Sequence, residues 1–180
     1  MVIGSSGSGK TTFAKRLAQV LSISHLELDT YHWSANWTEV SDEEFKKKVH
    51  GFLAANDSWI IDGNYSQLRE TIWPQADTII WLNYPFILTF YRSLKRSIKR
   101  IILKEKLFGG NVETFKRTFF SKDSILLWVI KTHGQRRTGY PKILLKEEFA
   151  NADKLIFKTP NQAKAYLSQI SISKDKNLTR

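Results

Sequence analysis

The chain has 180 residues, 28 Lys+Arg against 17 Asp+Glu for a net charge of +11, and 42% hydrophobic residues. That length supports one cored domain, and that composition excludes wholesale disorder. With no cysteine, a disulfide scaffold, a thiolate metal site and a cysteine nucleophile are all excluded, and a cytoplasmic location is expected.

Met1 is followed at once by Val-Ile-Gly-Ser-Ser, so no secretory leader is expected. The longest apolar run, Ile125 to Ile130, is too short to cross a bilayer, so no membrane span is expected either. The charge is unevenly placed. Residues 92–146 hold 15 Lys+Arg against three acids (Glu105, Glu113 and Asp123), while the rest of the chain carries 13 Lys+Arg and 14 acids.

Short apolar runs alternate with helical patterns, which predicts βαβ units and a parallel sheet. Met1 to Ile3 reads as a first strand. It is shorter than the usual five or so residues, so either the strand is curtailed or the true start lies upstream. Gly4-Ser5-Ser6-Gly7-Ser8-Gly9-Lys10-Thr11 then satisfies G-x-x-x-x-G-K-[ST] between a strand and a helix. Glycines and serines let successive backbone N–H groups curl around phosphate oxygens, and the helix N-terminus adds its dipole. Gly4 to Thr12 are therefore the candidate ATP-binding residues. Lys10 reaches the β- and γ-phosphates, and Thr11 ligates Mg²⁺.

The spacing predicts a helix over Thr11–Leu21, a strand at Leu26–Leu28, and a helix from Ser41 to about Ala55 opened by a Ser41/Glu44 capping box. Strands are predicted at Trp59–Ile61 and Thr78–Leu82. From Phe86 the residues Phe90, Tyr91, Leu94, Ile98 and Ile101 mark an amphipathic helix whose apolar face is expected in the core. Gly109-Gly110-Asn111 breaks this run. A helix at Asp123–Thr132 is expected next, then an irregular stretch with Arg136-Arg137, and another helix after Pro141. A strand at Leu155–Phe157 and a helix from Thr159-Pro160 to about Ser171 complete the chain, with 173–180 a frayed tail.

In a parallel sheet, functional side chains collect at the carboxyl ends of strands. Asp29 and Asp62 occupy such positions. Phosphoryl transfer needs a carboxylate for Mg²⁺ or its waters, and often another to take the acceptor proton. Asp29 is assigned to acceptor binding and general base, Asp62 to Mg²⁺; on sequence grounds the roles are interchangeable, and an Asx turn or an Asp-Gly turn explains either residue singly. Glu27 shares the strand face of Asp29. Trp33 and Trp37 form an aromatic wall for an acceptor or pack their loop onto the core. The four histidines lack metal-ligand spacing.

Arg92, Lys95, Arg96, Lys99 and Arg100 form a basic stripe after the fourth strand. Together with Arg136 and Arg137 it is placed to neutralise a transferred phosphoryl group. The same residues suit nucleic-acid phosphates. A membrane-surface helix is the weakest of the three readings, because the apolar face is expected in the core.

The phosphate loop, Leu28-Asp29, the block Trp59-Ile60-Ile61-Asp62-Gly63-Asn64-Tyr65, Ala76-Asp77-Thr78-Ile79-Ile80 and Asn83-Tyr84-Pro85-Phe86 resemble the P-loop family of topology modulation proteins, itself similar to adenylate kinases. Gly110 to Glu113, Asp123 to Trp128 and Arg136-Arg137 resemble the lid-side region of one branch. The resemblance spans nearly the whole chain. It implies an α/β P-loop NTPase three-layer sandwich, a single domain over 1–180. Helices flank a five-stranded parallel sheet, and a basic, partly irregular lid covers about 104–121.

It also implies ATP·Mg²⁺ and a small-molecule acceptor. Lys10, Asp29, Asp62, Arg96, Arg100, Arg136 and Arg137 would surround the reaction centre. Asp29, Trp33, Asn64 and Arg69 would face the acceptor, and Thr11 and Asp62 the metal. Where adenylate kinases carry Asp-Gly-Phe-Pro-Arg, this chain has Asp62-Gly63-Asn64-Tyr65-Ser66, so the arginine that grips AMP has no counterpart there and Arg69 is the replacement candidate. Asn83 stands where the family usually has Asp, and the lid lacks the cysteines of a zinc clip. The expected activity is transfer of the ATP γ-phosphate to a small acceptor. A nucleotide-controlled nucleic-acid binder and an acceptor-independent ATPase are the alternatives.

Overall fold

The computed structural model describes residues 1–178, with side chains through residue 174. Five parallel strands lie in the order β2-β3-β1-β4-β5: β1 Val2–Gly4, β2 Ser24–Glu27, β3 Trp59–Asp62, β4 Thr78–Leu82 and β5 Asp153–Phe157. β1 is short but central. Val2 pairs with Asp62 on one side and Ile80 on the other, and Gly4 pairs with Leu82. From β1 the chain winds to β2 on one flank and later to β4 on the other, so the ends of β1 and β3 open onto a topological switch point.

The strands are apolar on both faces, and their two-residue alternation sorts side chains between two cores. Ile3, Leu26, Ile61, Ile79 and Trp81 meet one cluster with Phe45, Leu68, Ile72, Tyr140 and Phe149. Val2, Ile60, Ile80 and Leu82 meet the other with Phe13, Ala14, Leu17 and Ala163. α1 Lys10–Leu21 covers the second face. The short α2 Asp29–His32, α3 Asp42–Ala54 and the short α4 Arg69–Ile72 lie on the first. Ser41 caps α3 by accepting from the Glu44 amide at 3.2 Å, as its capping-box pattern predicts. α5 Phe86–Leu103, α6 Phe115–Phe120, α7 Ile125–Leu144 and α8 Pro160–Leu178 complete the chain.

Several local expectations are corrected. β2 starts two residues earlier than predicted and ends one earlier, at Glu27, so Asp29 opens α2 instead of closing a strand. The stretch 123–144 is not two helices with a break: α7 runs through Pro141. Pro141 falls in the last turn, where only one backbone bond is forfeited. Tertiary anchors hold the rest, since Tyr140 stacks edge-on against Trp73 and Trp81 and His133 Nε2 lies 3.0 Å from the Tyr84 carbonyl oxygen. The last helix extends to Leu178, and of the expected frayed tail residues 179–180 lie outside the described residues.

The largest correction concerns α5. Its buried residues are Thr89, Ser93 and Ser97; of the expected inward residues Phe90, Leu94 and Ile101 are half-buried while Tyr91 and Ile98 are exposed, as are Ile87 and Ile102. The reason is close approach. A Cβ on Gly7 of the phosphate loop would lie 2.1 Å from the Thr89 carbonyl oxygen and 2.5 Å from Ser93 Oγ, so only small side chains fit between α5 and the loop. Gly7 also has φ +80°, which itself favours glycine.

Candidate active site

The loop from Ser5 to Gly9 connects β1 to α1. The Ser8 amide donates to Ser5 O at 3.1 Å, and Gly9 enters α1 in the left-handed conformation. No side chain caps the first turn of α1, and Ser8 Oγ is buried without a partner. Unused donors at a helix N-terminus form an anion site. Lys10 Nζ lies 3.4 Å from the Ser5 carbonyl oxygen. Burial lowers the Lys10 pKa; Asp62 and Asp29 oppose that shift, and the positive charges of Arg136 and Arg96 add to it. Four of the expected site residues thus surround one ammonium group.

Below the loop, Thr11 Oγ1 donates to Asp62 Oδ1 at 2.8 Å and lies 3.1 Å from Glu27 Oε1. The other Asp62 oxygen, Oδ2, is 2.7 Å from His25 Nε2, so the buried carboxylate is held from two sides. The register produces this cluster, because Glu27 pairs with Asp62 and His25 with Ile60 across β2 and β3. Burial raises the Glu27 pKa, and the charges of Asp62 and Asp29 raise it further.

Asp29, on the first turn of α2, accepts a hydrogen bond from the Tyr65 hydroxyl at 2.5 Å. Burial and Asp29 together push the Tyr65 pKa far up, so the phenol keeps its proton. Both ends of the Asn64 amide are engaged by Gly4, whose N–H donates to Oδ1 at 3.1 Å and whose carbonyl accepts from Nδ2. It clips β1 to the β3 exit, which leaves one amide hydrogen and one oxygen lone pair free to meet an acceptor. Trp33 packs edge-on against His32 and Trp37, with centroids at 4.8 and 5.7 Å. The Arg69 guanidinium lies over Trp73 at 5.3 Å with Nε buried and unpartnered. Arg136 lies over Trp128 at 5.7 Å, beside Tyr140, with Nη1 likewise unpartnered.

The basic residues divide. Arg96 crosses to the phosphate loop and donates from Nη2 to Ser6 Oγ at 2.9 Å, while its Nε is buried and unpartnered. Arg100 donates to Glu113 Oε1 at 2.9 Å and stands 4.0 Å from Glu105. Arg137 is exposed on α7, so the adjacent pair is split by helical geometry, with only Arg136 turned inward. Thr12 lines a cavity of about 410 Å³ beside the loop, together with Gly7, Gly9, Arg92, Arg96 and Pro160. A second cavity, of about 480 Å³, is lined by Thr11, Glu27, Thr30, Arg100, Lys106 and Phe108.

The stretch after α5 folds back through a single bridge, Lys106 to Val112, around Phe108–Gly110. It is clipped to the Trp33–Trp37 loop. Asn111 Nδ2 donates to Ser34 O at 2.7 Å, and Asn111 Oδ1 accepts from the Trp37 amide at 2.8 Å. Gly109 approaches so closely that a Cβ would lie 2.5 Å from the Ser34 carbonyl carbon.

Tyr65 and His25 are site residues that sequence reasoning missed. Tyr65 sits inside the quoted Asp-Gly-Asn-Tyr block, which was an available signal. His25 has none, because its partner is set by strand register 37 residues away.

No protein-family profile matches the sequence. Over 125 residues, 69% of this chain and 70% of the relative, it is 26% identical to the uncharacterized protein YqaC of Bacillus subtilis (strain 168). Among solved structures it is similar to a shikimate kinase from Bacteroides thetaiotaomicron, with a TM-score of 0.51 and 16% identity over 97% of this chain and 96% of that one. A sugar kinase from Janibacter sp. HTCC2649 aligns at a TM-score of 0.46 and 17% identity, over 99% and 90% of the two chains. The likeness to the first structure is one of fold alone, here a five-stranded parallel α/β sheet flanked by helices.

Proposed function

We propose that the protein is an ATP-dependent phosphotransferase acting on a small anionic acceptor. One observation carries the reading: the Thr11 hydroxyl, directly after the phosphate-type loop, sits 2.8 Å from Asp62 Oδ1 at the end of the neighbouring strand. A hydroxyl and a carboxylate meeting below a phosphate cradle is the donor set that Mg²⁺ takes, since it binds through one or two protein oxygens plus substrate phosphates. The loop fits ATP as well, because Ser8 Oγ is buried unpartnered and the first turn of α1 is uncapped.

ATP·Mg²⁺ would supply the activated phosphoryl group. Ser5 to Thr12 would hold the triphosphate, and Thr11 and Asp62 the metal. Lys10 and Arg96 flank the loop and would neutralise charge on the transferred group. Asp29, fixed by the Tyr65 hydroxyl, would take the acceptor's hydroxyl proton. Residues 104–121 would act as a lid on this single domain and exclude water.

Arg69 and Arg136 support an anionic acceptor. Both have buried nitrogens without partners, and both lie near the Tyr140 phenol. Buried guanidinium groups are ordinarily paired, and a phosphate or carboxylate on the acceptor would complete them. Arg96 and Arg100, the residues a nucleic-acid reading would need on the surface, instead engage Ser6 and Glu113.

The test is a panel of nucleosides, nucleoside monophosphates, phosphorylated sugars and carboxylate-bearing alcohols, assayed for acceptor-dependent ADP release. Turnover should require an anionic acceptor and vanish in Lys10→Ala with the fold retained. ADP release indifferent to every acceptor would favour a bare ATPase.

A further inference from the structure

The outward face of α5 does not belong to the site. The helix sets Thr89 and Ser93 against Gly7 of the loop and buries Ser97 on the same side, while part of its apolar surface faces solvent. Ile87, Tyr91, Ile98 and Ile102 are 80%, 59%, 41% and 71% exposed. Their spacings of four, seven and four residues put them in one stripe, about 22 Å long at 1.5 Å per residue. Lys95 and Lys99 lie within the same outward arc, and both are exposed. Nearby, α6 adds Phe115 and Phe120, also exposed.

We infer that this face docks onto an anionic lipid surface, with α5 lying in the plane of the interface. Charge complementarity identifies the occupant. Segment 92–146 carries 15 Lys+Arg against three acids, and one of those acids, Glu113, is already bound by Arg100. A stripe of Ile and Tyr flanked by lysines is the composition of an interfacial helix. The apolar side chains enter the acyl boundary while the lysines extend to the headgroups. A second copy of the chain is a poor occupant, because two such faces would set Lys95 and Lys99 against one another. Nucleic acid would use the lysines but leave four apolar side chains unrewarded.

Among the described residues no helix is long and apolar enough to cross a membrane, so the contact is one of surface docking. The inference is independent of the proposed reaction. Docking uses the side of α5 opposite the phosphate loop and would leave that loop open.

The test is co-sedimentation of the full chain with vesicles of phosphatidylcholine alone and of phosphatidylcholine and phosphatidylglycerol in equal parts. Binding is expected only to the anionic vesicles and should weaken as salt rises. I98S/I102S, which alters exposed positions only, should lower partitioning by about tenfold or more, and K95E/K99E should do the same. Circular dichroism of each variant would show the fold retained. Absence of vesicle binding overturns the inference, as does binding that I98S/I102S leaves unchanged. So does retention on duplex DNA or an acidic peptide that the apolar variant weakens while vesicles are not bound.

Discussion

Arg96 on α5 reaches Ser6 of the phosphate loop, 90 residues earlier, with a 2.9 Å hydrogen bond from Nη2 to Oγ. Desolvation lowers its pKa, as does the charge of Arg100, and Glu113 and Asp29 oppose the shift. The guanidinium is therefore held, partly unpaired, against the loop that we propose binds phosphate. Replacing it with Ala should lower kcat/KM for ATP by about 10²–10³-fold, the usual cost of one preorganised donor to a developing charge. Arg96→Lys should restore part of this, and Lys99→Ala, on the exposed side, should behave as wild type. Steady-state kinetics at saturating acceptor would measure it, and an unimpaired Arg96→Ala enzyme would remove Arg96 from the mechanism.

Tyr65→Phe isolates the hydroxyl that holds Asp29. The ring keeps its packing on His32 and Phe45, at centroid distances of 4.5 and 5.0 Å, so the fold should be preserved. A hydrogen bond to a charged group contributes about 1.5–3 kcal/mol, which corresponds to a fall in kcat of roughly ten- to a hundredfold if Asp29 is the base. KM for ATP should not move, because the loop is untouched. A change in KM alone would count against the assignment.

Glu27 gives a pH signature. Its folded pKa is raised above the ordinary 4.5, first by burial and then by Asp62 and Asp29. Through the window above 4.5 the folded state therefore binds more protons than the unfolded one, and stability falls as pH rises. Glu27→Gln should be more stable than wild type near neutral pH, and that advantage should disappear below the ordinary carboxylate range. Urea midpoints of both proteins, measured with nucleotide and magnesium absent, would show the crossover. An advantage that persists in acid would mean that packing, not charge, is responsible.

Asn111 tethers the stretch after α5 to the Trp33–Trp37 loop through Ser34 O and the Trp37 amide. Asn111→Ala strips a buried donor and acceptor pair and should cost about 1–3 kcal/mol. The local consequence is specific: limited trypsin digestion should cut after Lys104 or Lys106 sooner than in wild type. Equal cleavage rates would show that the clip does not control this segment.

Much of the site was legible in the sequence because its chemistry is local. Gly4 to Thr11 are contiguous, and a loop of that spacing leaves a strand and opens a helix wherever it folds. Asp62 was readable as the last residue of a short apolar run. The clip that Asn64 makes was not legible, because an amide after Asp62 and Gly63 gives no sign that Gly4, 60 residues away, will bond to both its ends. The contact of His25 was hidden for the same reason, since it pairs with a carboxylate 37 residues distant, whereas Tyr65 lay within the Asp-Gly-Asn-Tyr block and only its bond to Asp29, 36 residues away, was hidden.

What the sequence determined by itself was the succession of the five strands, the parallel α/β class and a glycine-rich loop between the first strand and the first helix, all set by short-range periodicity and turn chemistry. Its net charge of +11 and the concentration of that charge in one segment were equally plain. Only the tertiary structure decided which way the charged segment faces. Periodicity defines an amphipathic helix but not the neighbour it turns toward, and apolar-inward was the default expectation for α5. The close approach of Gly7 to Thr89 and Ser93 rotated the helix away from that arrangement, leaving Phe90, Leu94 and Ile101 half-buried and Tyr91 and Ile98 exposed, because only small side chains fit there. The same rotation carried Arg96 to the phosphate loop and left Ile87, Ile98 and Ile102 beside Lys95 and Lys99 on the outside.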